Sequence, residues 1–366
     1  MDFGRIVFVG NCQMGAMWRL YERTLPRERA HVPKFIQSYD AATEESRRLI
    51  AEAEVVVWQT TQYVQAIGEV ASSAPRFLVP VVMCPFLWPY GGHPHPRNVS
   101  SDALPGGPYP GEFGDAFLNQ CIESGTDAVE AARQYLSRDV AAERNVVRMA
   151  KITLDQQRRR DAACGAYDVA GLIERLLPHE PLFRSPGHLN PPIMRHLAET
   201  LYRQMGADDA FLNYLATTRY DDLVPYSELP IHPSIGRQFG LSYVVPTARY
   251  HFFAEGDYTF QEWAERYIRY DWNEDFNQAM HLARLGNIAA AVPLWERSME
   301  TSLRSVGGRV NLAEIMVRNG MAQRALRWIR EGVALEPTNA IYVRRAGEIL
   351  AQVEYEQAQA RLNHGS

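Results

Sequence analysis

Residues 6–20 read IVFVGNCQMGAMWRL, and this stretch decides the fold class of the chain. Its first part, Ile6 to Val9, is uniformly apolar, which is typical of a parallel strand buried on both faces. From Gln13 to Thr24 the apolar residues recur at helical spacing, which predicts a helix. The two elements are joined by the polar turn Gly10-Asn11-Cys12-Gln13. A strand followed at once by a helix predicts the start of a βαβ unit.

Strands and helices go on alternating beyond this unit. The strand segments that we predict are 31–37, 54–60 and 76–83, and a polar helix is expected at 44–52. The alternation predicts an α/β fold with a small, mainly parallel sheet and many helices. The later helices are expected within 115–157, in two stretches at 115–124 and 126–157, and at 168–177, 191–205 and 259–270. Short strands are expected at 181–185 and 250–253. In the last helix, Thr259 and Glu262 have the spacing of a capping box.

Composition bounds the class of protein. With 366 residues, two or three domains are expected. The net charge of -5 argues against general nucleic-acid binding, which needs a dense basic surface. No run approaches the length of a membrane span, and the first residues do not resemble a secretory leader. The cysteines are few and scattered, and without a C-x-x-C pair they predict a reducing cytoplasm and no structural zinc.

The turn after the first strand is the leading candidate site. Cys12 lies where open α/β sheets place their ligands, at the carboxyl end of a strand and the start of a helix. The free N–H groups of a helix start favour negative charge, and therefore a thiolate. Asn11 and Gln13 can each donate a side-chain N–H to an oxyanion. The alternative interpretation is a small buried cysteine in an ordinary turn.

His188 is the second candidate, within the segment LFRSPGHLNPP at 182–192. It precedes a helix that Pro191 and Pro192 are expected to start. A histidine beside a strand end is suited to act as a general base, because imidazole titrates near neutral pH. Taken alone, a capping or surface histidine is the commoner explanation.

The Pro-, Gly- and aromatic-rich segment 84–114 is the third candidate, because loops of this size are usually functional walls or lids. His93 and His95 could ligate a metal, but alternate residues of an extended loop point apart, so we expect a pocket wall and no metal. The basic residues Arg144, Arg148 and Lys151 are predicted to share a helix face. That face could meet cofactor phosphates, although such a patch is more often only solvated. Phosphate-loop, dinucleotide-fold and G-x-S-x-G patterns are absent.

The tail carries a repeat of 34 residues. Gly286 and Gly320 are one such pair, and Ala291 and Ala325 are another. The 34-residue period and the small residues at equivalent positions are typical of tetratricopeptide helix pairs. In this interpretation, 338–360 is a capping helix. The alternative is a helical bundle without repeat ancestry. We predict three segments: an α/β domain at 1–258, a connecting helix at 259–275 and the repeat unit at 276–366.

The GNCQ turn, the histidines of 85–96 and the segment around His188 together resemble the WcbI-type polysaccharide biosynthesis family, over about 4–255. The resemblance implies an enzyme of capsular polysaccharide acetylation that binds coenzyme A. It differs in one respect, because Leu189 and Asn190 separate the histidine from the prolines. Under this resemblance the catalytic residues are Cys12, His188, Asn11 and Gln13. The residues expected to bind coenzyme A are Gly10, Gln13, Met14, His93, Arg144, Arg148 and Lys151.

The turn is also similar to the first block of the SGNH esterases and acetyltransferases, with Asn11-Cys12 where that group has Asp-Ser. That group places an aspartate three residues before its histidine, and here the position holds Ser185. Another acid, such as Asp221 or Asp222, would have to orient His188, or no triad is needed. An SGNH-like topology is therefore one arrangement that the sheet could take.

The scattered cysteines predict a cytoplasmic protein, and the resemblance implies an O-acetyltransferase. It would move acetyl from acetyl-coenzyme A to a hydroxyl of a saccharide or nucleotide-sugar, and the repeat tail could bind a protein partner. One alternative is an SGNH-like hydrolase with a cysteine nucleophile. Another is a scaffold whose repeats bind a partner within a glycan-assembly complex. Whether Cys12 attacks the thioester or only lines its pocket stays open.

Overall fold

The structure is a computed structural model. It describes residues 4–23, 33–38, 43–60, 73–96, 114–218, 220, 228–252, 256–269, 278–279, 282–283, 285–301, 306–335, 337 and 340–364. Asp221, Asp222 and most of the long loop, 97–113, lie outside the described residues. Within the described parts, no helix has both the length and the apolar character needed to cross a membrane.

A four-stranded parallel sheet forms the centre of the amino-terminal part, in the order β2-β1-β3-β4. Its strands are β1 (Ile6–Gly10), β2 (Lys34–Gln37), β3 (Val55–Thr60) and β4 (Arg76–Pro80). Phe8 of β1 pairs with Phe35 on one side and Val57 on the other, so β1 is an inner strand. All five residues of β1 are buried, as its apolar sequence predicts. The α/β class and the parallel sheet are confirmed.

The chain divides into two compact units, and neither is continuous in sequence. Unit 1 contains 1–91, 136–226 and 231–248; unit 2 contains 92–135, 227–230 and 249–366. The helices of unit 1 are α1 (Cys12–Arg23), α2 (Glu44–Ala51), α5 (Val140–Glu143), α6 (Val146–Cys164), α7 (Val169–Leu176), α8 (Pro191–Gln204), α9 (Asp209–Thr217) and α10 (Pro233–Phe239). The helices of unit 2 are α3 (Ala116–Glu123), α4 (Ala128–Ser137), α11 (Phe260–Arg269), α12 (Ile288–Thr301), α13 (Val306–Arg318), α14 (Ala322–Leu335) and α15 (Ala340–His364). The smaller strands are β5 (Phe183–Ser185), β6 (His188–Leu189), β7 (Tyr250–Phe252) and β8 (Gly256–Tyr258).

The expected long helical region at 115–157 is broken into four helices, α3 to α6. The three breaks lie at Asp127, Asp139 and Asn145, and Asp115 precedes the first helix. Asp115 and Asp139 accept backbone N–H groups at the starts of α3 and α5, and Asp127 does so at the start of α4. Asn145 has φ +47° and caps α6 through its side chain. Because the helix is broken at Asn145, Arg144 does not share a helix with Arg148 and Lys151. The prediction of one continuous basic helix face is wrong at this point.

The segment 181–185 forms a strand, but that strand is not part of the main sheet. Its strand β5 pairs antiparallel with β6 in a separate hairpin. The hairpin turns through Pro186 and Gly187, and His188 is the first residue of the returning strand. His188 is therefore itself a strand residue, next to the end of β5, beside which the sequence placed it.

A buried polar network joins the first and last parts of unit 2. Asp115 accepts a hydrogen bond from Tyr135 Oη, and the Asp115 backbone N–H donates to Tyr267 Oη at 2.9 Å. Tyr267 Oη in turn donates to Asn119 Oδ1 at 2.6 Å. His95 lies against the Tyr267 ring, with its Nε2 2.9 Å from the Tyr267 carbonyl oxygen. This network fixes the end of the histidine-containing segment within unit 2.

The tail of unit 2 consists of helices packed around Trp295 and Trp328. Gly286 and Gly320 have φ +78° and +72°, and a helix begins two residues after each, at Ile288 and Ala322. The capping box is confirmed at the start of α11, where the Glu262 carboxylate accepts the Thr259 N–H and Thr259 Oγ1 accepts the Glu262 N–H.

Candidate active site

The GNCQ turn lies at the carboxyl end of β1, which is an inner strand of the sheet with β2 on one side and β3 on the other. The chain leaves β1 for β2 on one side, and β3 lies on the other. In an open parallel sheet, such a reversal of strand order opens a crevice where ligands bind. Cys12 is the first residue of α1 and is exposed. The sheet topology therefore places the thiol at the position where this class of fold holds its ligands.

Cys12 differs from the other three cysteines of the chain. Cys84, Cys121 and Cys164 are buried, and no disulfide joins any of the four. Burial raises the pKa of the Cys84 thiol and that of Cys164, so both stay protonated at neutral pH. Cys12 is accordingly the cysteine that solvent and ligands can reach.

Gln13 connects the turn to three other segments through its side chain. Its Nε2 donates to the Val82 carbonyl at 2.7 Å and to the Gly187 carbonyl at 2.8 Å. Its Oε1 accepts from Gln59 Nε2 at 2.9 Å and from the Val82 backbone N–H at 3.2 Å. Both amide hydrogens are thus donated to backbone oxygens. Gln13 holds the site together and has no N–H left to donate to an oxyanion.

Gln59, which the sequence did not single out, supports the turn from β3. It is fully buried, and its Oε1 accepts the Asn11 backbone N–H at 2.9 Å. Gly10 allows this approach: a Cβ there would lie 2.7 Å from Gln59 Oε1 and 2.6 Å from Met14 Cβ. Gly10 therefore serves packing at the turn. Met14 is fully buried in the core, so its side chain has no exposed surface at the turn.

Asn11 keeps part of its predicted capacity. Its Oδ1 accepts the Gln13 backbone N–H at 2.9 Å, which caps the start of α1. No described residue accepts a hydrogen bond from its Nδ2. Because Gln13 has no free donor, Asn11 is the amide of the pair that can still meet an oxyanion.

His188 is brought to the turn by its hairpin. The Gly187 carbonyl that receives the Gln13 bond directly precedes His188, just as Cys12 directly precedes Gln13. Cys12 and His188 are therefore each one residue away from a shared hydrogen bond. The hairpin is held from a second side, where the Cys84 N–H donates to the Pro186 carbonyl at 2.7 Å.

Asn190 fixes the base of the same hairpin. Its Nδ2 donates to the Pro181 carbonyl at 2.7 Å, and its Oδ1 accepts from Arg184 Nε at 2.7 Å. Its backbone N–H donates to the Leu182 carbonyl. The Leu189-Asn190 departure from the expected pattern therefore supplies a brace for the strand that carries His188.

The remaining predicted residues are distributed over both units. Arg144 stacks on the ring of Tyr90 in unit 1, with its guanidinium carbon 5.2 Å from the ring centre. Tyr90 Oη donates to Glu143 at 2.8 Å, which fixes that ring. Arg148 and Lys151 are exposed on α6. His93 belongs to unit 2 and is exposed, and within the described ranges no three His, Cys, Asp or Glu side chains gather in a way that could hold a metal ion.

The fold and site define an α/β protein with an exposed thiol at a topological switch point, beside a histidine hairpin. The chain matches the family described as "Polysaccharide biosynthesis enzyme WcbI" over residues 5–210. It therefore belongs to the WcbI family of polysaccharide biosynthesis enzymes.

A solved structure of WcbI, described as a novel polysaccharide biosynthesis enzyme, shares the fold. That structure is of the native protein without a disulfide bond between coenzyme A and a cysteine of that protein. The identity is 13%, the TM-score is 0.51, and the match covers 80% of this chain and 98% of that one. A comparison with the curated proteins gives no match.

Proposed function

We propose that this chain is a coenzyme A-dependent O-acetyltransferase that acts on a saccharide hydroxyl in polysaccharide biosynthesis. The observation that carries the proposal is the Gln13–Gly187 hydrogen bond, whose two residues directly neighbour exposed Cys12 and His188 in the chain. Membership of a polysaccharide biosynthesis family supports the acceptor class. The neighbouring WcbI structure, whose description names coenzyme A and a cysteine, supports the donor.

The donor set of the turn suits a thioester. Acetyl-coenzyme A would supply an activated acetyl group. Asn11 Nδ2 and the start of α1 provide N–H donors for an oxyanion and for phosphate charge. The exposed cations Arg144, Arg148 and Lys151 are candidates for the phosphates of the donor.

His188 is proposed as the general base. Its ring accepts the proton of the acceptor hydroxyl while that oxygen attacks the acetyl carbon. The carbon–sulfur bond breaks, and the departing thiolate takes the proton back from the imidazolium. In the two-step form, the Cys12 sulfur would give its proton to His188 and attack the acetyl carbon, and coenzyme A would leave as a thiolate that takes up this proton. The acceptor hydroxyl would then attack the acetyl carbon on Cys12, passing its proton through His188 to the departing Cys12 thiolate. The two forms differ in whether an acetylated Cys12 exists.

Calorimetry and mass spectrometry test this proposal. We expect coenzyme A to bind the full chain, and coenzyme A disulfide to exchange with Cys12 and add one coenzyme A to the peptide that carries it. Cys164→Ala is the matched control, since it removes a buried thiol. Absence of binding at millimolar coenzyme A would overturn the proposal. Full acetyl transfer by Cys12→Ala would remove the two-step form only.

A cysteine hydrolase is the second candidate, because an exposed thiol and a histidine hairpin at one switch point would also suit ester cleavage. Hydrolysis of a simple acetyl ester in the absence of coenzyme A, lost in Cys12→Ser, would favour it. Acetyl transfer that depends on an added saccharide would favour the first proposal.

We further propose that the tail is a tetratricopeptide-like repeat. Its support is the equivalent burial of Ala291 and Ala325, both fully buried and 34 positions apart. We expect Ala291→Leu and Ala325→Leu to destabilise the tail alike, by about 1–3 kcal/mol each, through overpacking. Leucine at exposed Ala290 is the control. Strongly unequal costs at the two buried sites would argue for an unrelated helical bundle.

A further inference from the structure

Ser185 lies three residues before His188, where the SGNH group has its orienting aspartate. The side chain is 1% exposed, and Ser185 Oγ lies 2.8 Å from His188 Nδ1. Ser185 and His188 are also directly paired across the β5–β6 hairpin. In this chain, a serine hydroxyl contacts His188 Nδ1 at the place where the SGNH group has a carboxylate.

The backbone around this pair is held at both residues of the turn. The Pro186 carbonyl accepts from the Cys84 N–H, and the Gly187 carbonyl accepts from Gln13. A two-residue turn pinned at both carbonyls leaves the Ser185–His188 pair little freedom to separate. The contact is therefore built into the hairpin.

A base that accepts a proton through Nε2 must carry its own hydrogen on Nδ1. The group that accepts the hydrogen bond from Nδ1 selects that tautomer and fixes the ring orientation. Resting on the proposed function, we propose that Ser185 Oγ accepts this bond and so acts as the positioning residue for His188. No carboxylate is then needed at this place.

The neutral partner has a chemical consequence. A hydroxyl orients an imidazole but stabilises an imidazolium less than a carboxylate does. This suffices where the leaving group is a thiolate, because thiols ionise near pH 8.5 and thiolates leave readily. The pair therefore fits a thioester donor, from which the thiolate leaves and recovers the proton at once.

Nitrogen-15 NMR of histidine-labelled full-length protein tests this directly. The His188 signal is identified by its loss in His188→Gln. We expect the wild type to show the Nδ1–H tautomer, and Ser185→Ala to shift it toward Nε2–H. Acetyl transfer should lose roughly 10- to 100-fold in kcat while KM for acetyl-coenzyme A changes little. Ser185→Thr, which keeps the hydroxyl, should restore both the Nδ1–H tautomer and the wild-type kcat.

The chain offers a matched control in a second serine–histidine pair. Ser234 Oγ lies 2.8 Å from His232 Nδ1, which also accepts the Ser234 backbone N–H at 3.1 Å, and both residues are buried. Here Nδ1 is the acceptor and the serine hydroxyl the donor, so Ser234→Ala should keep the Nε2–H tautomer of His232 and leave His188 and kcat unchanged. An unchanged His188 tautomer in Ser185→Ala overturns the inference, whatever happens to kcat. If the wild type neither binds coenzyme A nor transfers acetyl, the proposed function fails, while the tautomer shift still decides the role of Ser185.

Discussion

Gln13 is a buried amide whose two hydrogens and whose oxygen are all engaged. An apolar residue of similar size would remove the bonds that Gln13 makes with the Val82 N–H, with two backbone carbonyls and with Gln59 Nε2. Each unsatisfied buried group costs about 1–3 kcal/mol, so we expect Gln13→Leu to lower the free energy of unfolding by at least about 3 kcal/mol. Urea denaturation measures this loss.

Gln261→Leu is the control for that substitution. Gln261 is exposed and makes one side-chain bond, to Glu265 on its own helix. A change within about 0.5 kcal/mol is expected there. Equal effects at the two positions would show that the buried bonds of Gln13 contribute little.

Gly10 gives a second prediction at the residue scale. A methyl group there would meet Gln59 and Met14 at under 3 Å. We expect Gly10→Ala to cost about 1–3 kcal/mol of stability by overpacking, and to weaken coenzyme A binding because the turn is displaced. Gly347→Ala is the matched control: no atom lies within 4 Å of the added carbon, and the helix should gain about 0.5–1 kcal/mol. Unaltered binding in Gly10→Ala would separate turn packing from function.

At the scale of elements, the hairpin of β5 and β6 depends on Asn190. Asn190→Ala removes the side-chain bonds to Arg184 and Pro181. We expect a loss of about 1–3 kcal/mol in stability and a lower kcat, because the base of the hairpin that carries His188 then keeps only the backbone bond from Asn190 to Leu182. Asn319→Ala, which removes one exposed bond to Ile315, should leave kcat unchanged. A wild-type kcat in Asn190→Ala would show that the brace does not reach the histidine.

The strands of the sheet were predictable because their apolar runs are local patterns. The breaks within 115–157 were also marked locally, by Asp127, Asp139 and Asn145, each of which caps the next helix, but the apolar spacing continued across them. The roles of Gln13 and Gln59 were not predictable. Their bonds join residues 46 and 174 positions apart, and such bonds leave no periodic trace in the sequence. The same holds for β6, which has only two residues.

At the scale of the whole molecule, we expect the folding stability of unit 2 to depend on pH through Asp115. Burial raises the pKa of this carboxyl from 3.8 to about 6. Between those values the unfolded chain is ionised while the folded protein keeps the proton, so stability falls as pH rises from about 4 to 6. The loss is on the order of 3 kcal/mol.

Asp115→Asn, which keeps the shape without the charge, is expected to abolish this slope. Thermal unfolding at pH 4 and at pH 7 measures it in both proteins. Asp127→Asn is the control, since Asp127 caps α4 in the same way but is exposed. A wild-type slope that persists in Asp115→Asn would assign the pH dependence to other groups.

The interleaving of the two units has a consequence for synthesis on the ribosome. Tyr135 contacts Phe260, and Asp115 contacts Tyr267, across more than a hundred intervening residues. At about 5–20 residues per second, helices α3 and α4 wait roughly ten seconds for α11. During that interval their apolar faces lack their final partners and are open to aggregation. We therefore expect chaperones to bind the nascent chain most while its middle part is being synthesised, well before the tail emerges.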